Sequence, residues 1–101
     1  MVARCFLLAV MLLPWPTLAE QQSTLEKFRS SARAAAAAYF SREMGVKPEE
    51  VINQTTFVAE EGTGAVLNVG VRRLDCRISL GRSDPREAWD VASLRCRAGP
   101  L

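Results

Sequence analysis

An α+β domain, with one long N-terminal helix packed on a curved antiparallel sheet of about four strands, is the fold class that the sequence predicts. Three observations predict it. An alanine-rich stretch from Thr24 to Met44 repeats its apolar residues at helical spacing. The runs after Lys47-Pro48 switch to period-two alternation, and Gly, Asp and Ser clusters separate them. The chain has 101 residues, 49% hydrophobic and 24% charged, which suits a single domain with one core. A net charge of +2 is too small for a chain that holds nucleic acid by electrostatics alone, and the absence of histidine removes the residue most used in hydrolase triads and zinc sites.

Residues 1–19 read as a secretory signal peptide: Arg4 gives the positive start, Cys5 to Leu13 is an unbroken apolar run, and Thr17-Leu18-Ala19 offers small residues for cleavage. Pro14 and Pro16 close that run well short of the ~20 residues a spanning helix needs, so no stable membrane anchor is expected. The mature domain, residues 20–101, loses only Arg4 among the charged residues and is close to neutral. Its location is extracellular, or periplasmic if the source is bacterial.

The helix is expected to start at the capping box Ser23-Thr24-Leu25-Glu26 and to stop at Gly45. Leu25, Phe28, Ala32, Ala35, Ala36, Tyr39 and Phe40 form its apolar stripe. Alanine combines high helix propensity with a small side chain, so Ala34 to Ala38 lets a second layer approach closely. Val51 to Ala59 is rich in β-branched residues, Glu60-Glu61-Gly62-Thr63-Gly64 is a turn, and Ala65 to Val71 alternates, which together make a hairpin. In a second hairpin Leu74, Cys76, Ile78 and Leu80 alternate with polar residues, and Gly81 to Pro85 leads to a strand from Trp89 to Arg97. Val71 and Leu74 both face inward only if the chain bulges or kinks around Arg72 and Arg73.

Cys76 and Cys96 are the two cysteines of the mature domain, and an even pair in an oxidising compartment is expected to close into one disulfide. Asn53-Gln54-Thr55 is an acceptor sequon, which makes Asn53 a glycosylation candidate in a eukaryotic secretory pathway and carries no meaning in a bacterium.

An exported chain with a long helix, a glycine-containing first hairpin and a last strand pair holding Cys76 and Cys96 resembles the cystatin superfamily, in its cystatin and cathelicidin-prodomain branches. The run Gly64-Ala65-Val66-Leu67-Asn68-Val69-Gly70-Val71 is similar to the strand leaving that family's first loop. The resemblance implies a binding domain that acts through loops at one end of the sheet, in its sharpest form an inhibitor of papain-like cysteine proteases. Glu60, Glu61, Gly62, Thr63 and Gly64 stand where the family reads Gln-x-Val-x-Gly, and Asp84, Pro85 and Arg86, with Trp89 beyond, stand where it reads Pro-Trp. One glycine and one proline persist. No glycine precedes the helix, and the first disulfide of the family has no counterpart, which marks a divergent member. Two carboxylates at a hairpin tip are costly to desolvate in a protease cleft. The cathelicidin version implies a cationic peptide after the domain, whereas only Arg97 to Leu101 follows Cys96.

Seven of the ten arginines after Arg4 lie between Arg72 and Arg97, and alternation places Arg73, Arg77, Arg95 and Arg97 on the outward sheet face. Such a face takes a glycosaminoglycan, an anionic surface or an acidic protein, or else is a solvated face neutralised by Asp75, Asp84, Glu87 and Asp90. The alternative function is therefore a structural or signalling module with an acidic partner, or a periplasmic accessory protein. Ser79, Ser83 and Ser93 have no histidine or well-placed lysine to activate them, so no catalytic residue, metal or cofactor is assigned.

Overall fold

A computed structural model describes residues 18–99 of the chain. The expected signal peptide falls almost entirely outside them. Helix α1 spans Leu18–Met44, a short 3-10 turn follows at Pro48–Glu50, and strands β1 (Val51–Val58), β2 (Gly64–Val71), β3 (Leu74–Gly81) and β4 (Asp90–Ala98) form one antiparallel sheet in the order β1-β2-β3-β4.

The helix starts earlier than the capping box suggests. Ser23 does not cap it, and the Thr24 hydroxyl donates to the Glu20 carbonyl at 3.0 Å, a bond one turn back inside a continuing helix. The stretch Leu18-Ala19-Glu20-Gln21-Gln22 contains only good helix formers, so the local capping signal had nothing to stop. At the other end the expectation holds. Gly45 sits at φ +67°, and its N–H donates to the Ser41 carbonyl at 3.0 Å, which closes the last turn. The face against the sheet is Ala32, Ala36 and Phe40, all buried, flanked by half-buried Phe28, Ala35 and Tyr39. At 1.5 Å per residue a helix of 27 residues spans roughly 40 Å.

The sheet's inner face is built by period-two alternation. Ala65, Leu67, Val69 and Val71 of β2 and Cys76, Ile78 and Leu80 of β3 are buried, with Val46 and Val58 at the margins. Two extra residues re-aim the outer strands: the β1–β2 register shifts between Asn53 and Thr55, and the β3–β4 register shifts between Ser79 and Leu80. The expected kink around Arg72 and Arg73 is instead a two-residue hairpin turn. Val71 pairs directly with Leu74, and Arg72 takes φ +57°. Antiparallel partners face the same side, so both apolar residues point inward with no bulge. Arg73 consequently lies in the turn rather than on the strand face with Arg77, and its carbonyl accepts from the Gly99 N–H at 2.8 Å.

Cys76 and Cys96 stand directly opposite each other on β3 and β4 and form a disulfide. No helix among the described residues is long and apolar enough to cross a membrane.

Candidate functional site

Because β1 runs into its turn at the same end of the sheet where β3 leaves, the two sequence-predicted loops lie side by side: Gly64 is the register partner of Gly81. The first turn is tight. Ala59 N–H donates to the Gly64 carbonyl and Gly62 N–H to the Ala59 carbonyl, each at 2.9 Å. Gly62 has φ +75°, and a Cβ there would lie 2.7 Å from the Phe28 ring, so glycine is required both by the turn and by the close approach of α1. Gly64 has no such restriction; a Cβ there would meet open space. Glu60 and Glu61 project into solvent, with Thr63 half-buried.

Arg82 joins the two loops. Its backbone N–H donates to the Thr63 carbonyl at 3.0 Å, Nε to the Gly62 carbonyl at 2.6 Å, and Nη1 to the Glu87 carbonyl at 3.0 Å. The guanidinium lies 3.8 Å from the Trp89 ring centre and 5.4 Å from that of Phe28. Nη2 is buried without a hydrogen-bond partner. Burial lowers the Arg82 pKa from its ordinary value, against the opposing charge of Asp84.

At the tip of the second loop Asp84 is bound by Arg86, whose backbone N–H and Nε both donate to Oδ1, at 2.8 and 3.1 Å. These side-chain and backbone bonds lower the Asp84 pKa. Pro85 and Arg86 are exposed, while Trp89 turns back to the helix and its Nε1–H donates to the Ser31 hydroxyl at 2.9 Å. The loop end therefore presents Glu60, Glu61, Pro85 and Arg86, and its tryptophan is engaged at the rim of the core. Glu20, Gln21 and Gln22, which precede the expected helix start, are themselves helical.

The outer sheet face carries a second constellation. Register places Arg77 opposite Arg95 and Asp75 opposite Arg97, with Asn68 beside Arg77 on β2. Asp75 accepts from the Gln54 side-chain amide at 3.4 Å, and Asn68 Nδ2 donates to Thr55 Oγ1 at 2.8 Å. Among the described residues Arg77, Arg95 and Arg97 are exposed and have no carboxylate within 4.0 Å. Ile52 and Phe57, on β1 at the far side of the same face, are 65% and 68% exposed.

Asn53 of the sequon is exposed on β1, where its Oδ1 accepts from the Thr56 hydroxyl at 2.8 Å. The described residues contain no group of three or more His, Cys, Asp or Glu side chains placed to hold a metal ion. The sequence places Arg82 in the connection from Gly81 to Pro85 but does not separate it from the other arginines. Its partners come from the helix, the first turn and its own loop, so no local pattern marks it; the signal available was its position immediately after the end of an alternating strand.

Comparison with protein-family models, with curated proteins and with solved structures finds no match for this chain.

Proposed function

We propose that the chain is a non-enzymatic binding domain of an oxidising, extracytoplasmic compartment, and that its outer sheet face engages a polyanion such as a sulfated glycosaminoglycan. The disulfide supports the compartment, since such bonds persist where thiols are not kept reduced. The observation that carries the contact surface is the direct opposition of Arg77 and Arg95 with no acid in reach. Like charges directly opposite in an antiparallel pair are destabilising, and a partner bearing regularly spaced anions turns that cost into binding energy. Arginine forks pair with two oxygens of a sulfate or carboxylate at once.

Heparin chromatography tests this. The native protein is retained at low salt, and the triple variant R77Q/R95Q/R97Q elutes earlier. The logarithmic salt dependence of binding flattens by about 2–3, as expected when three counterion-releasing contacts are lost. Flow-through of the native protein at low salt, or unchanged elution of the triple variant, rejects the reading.

A second reading, the divergent cystatin-like inhibitor, is favoured by one observation: Arg82 fastens the two hairpin loops into a single tip. The helix-on-four-strand architecture is the one the cystatin resemblance implies. On this reading the domain slows a papain-like protease at micromolar concentration and replacing Gly64 or Trp89 weakens the effect. Unaltered protease activity at that concentration rejects it.

A further inference from the structure

Helix α1 packs chiefly on β1 and β2, and β4, beyond the buried β3, stays largely exposed. The result is a cleft of about 540 Å³ between the helix and the β4 edge, within the range typical of small-molecule sites. Ala35, Ala38 and Tyr39 line it from the helix, and Leu80, Val91 and Trp89 from the sheet. The alanines matter because their small side chains open a space that a leucine would fill. Arg82 forms part of the wall and holds the buried donor Nη2 that no protein group accepts from. Nε–H and one Nη1–H are committed to the Gly62 and Glu87 carbonyls, and Trp89 covers one face of the guanidinium. An unpaired buried donor on a charged group is costly. Glu87 and Asp90 also border the cleft, but both are exposed and stay hydrated.

The geometry points to a binding site for a single-chain anionic amphiphile, such as a medium-chain carboxylate. Its apolar tail lies along Ala38, Tyr39 and Val91, and its head group accepts from Arg82 Nη2 and takes the place of the Glu87 carbonyl at Nη1 as the exposed Glu87-Ala88 stretch of the β3–β4 loop shifts aside. This site lies on the helix side of the sheet, away from Arg77 and Arg95, and stands independently of the polyanion reading.

The test is titration of the isotope-labelled full chain with sodium decanoate and, in parallel, decan-1-ol, followed by the amide resonances of Ala38 and Val91 and the indole N–H of Trp89. Decanoate is expected to move these resonances saturably and to bind at least tenfold more tightly than the alcohol of equal length. Arg82→Gln removes that preference, so that the variant binds acid and alcohol with equal affinity. Because Arg82 also ties the loops, Ala38→Leu serves as a second variant: it touches none of those ties, fills the cleft and weakens both ligands by at least tenfold. Unmoved cleft resonances, equal affinity for acid and alcohol on the native protein, or an Ala38→Leu variant that binds as the native protein does each overturn the assignment.

Discussion

Replacing Phe40 with alanine lowers the unfolding free energy by about 3–5 kcal/mol, the range for truncating a large buried aromatic. Phe40 is 0% exposed and is the largest fully buried side chain of the described residues. Its neighbours on the buried helix stripe, Ala32 and Ala36, are too short to collapse into the space it leaves. Tyr39 meets it edge-on, ring centres 5.8 Å apart, and is itself held at the surface of the core. A domain of this size has a net stability of about 4–12 kcal/mol at 0.05–0.15 kcal/mol per residue, so the variant loses a large share of it. Urea unfolding followed by far-ultraviolet circular dichroism checks it against Ile52→Ala, whose side chain is 65% exposed and whose removal costs under ~0.5 kcal/mol. A Phe40→Ala cost below ~1 kcal/mol means that the helix is not docked through this ring.

Where a single local signal decides the structure, the sequence reads correctly. Gly45 stops the helix, the alternation of β2 and β3 selects their buried faces, and the pairing of Cys76 with Cys96 follows from their being the two cysteines of residues 20–101. Where two signals compete, it does not. Ser23 to Glu26 has the form of a cap, but the residues before it propagate a helix equally well, and propagation wins because each added residue gains a hydrogen bond. The β2–β3 turn was disguised for a different reason. Tight hairpins favour glycine or asparagine at positive φ, so Arg72-Arg73 carries no turn signature, and only the pairing of Val71 with Leu74 reveals it. Alternation was enough to put Arg77 and Arg95 on the outward face. That they oppose each other depends on register, including the shift between Ser79 and Leu80, which no run of residues announces. Arg82 lies furthest beyond sequence reading, since its contacts to Phe28, Gly62 and Trp89 exist only once the helix and both loops are assembled.

Removing the disulfide, by Cys76→Ala with Cys96→Ala, costs about 3 kcal/mol from the loop entropy released into the unfolded chain, and lowers the melting temperature by roughly 10–20 °C in a domain this small. The loss falls unevenly. On β4 only Val91 and Leu94 are half-buried and the remaining residues are exposed, while α1 packs chiefly on β1 and β2. Strand β4 is therefore held by its ladder to β3, by those two side chains and by the Cys76–Cys96 bond. Amide exchange in the double variant is expected to rise most in β4, least in β2, and a melting temperature within ~3 °C of the native protein rejects this account. The same bond also bears on the arginines. Cys96 sits between Arg95 and Arg97, so the disulfide keeps Arg95 facing Arg77 against a repulsion of roughly 0.2–1 kcal/mol. Without it, separation of β4 relieves that repulsion. Adding Arg95→Gln is consequently expected to stabilise the disulfide-free variant and slow exchange in β4, although the same substitution weakens retention on heparin.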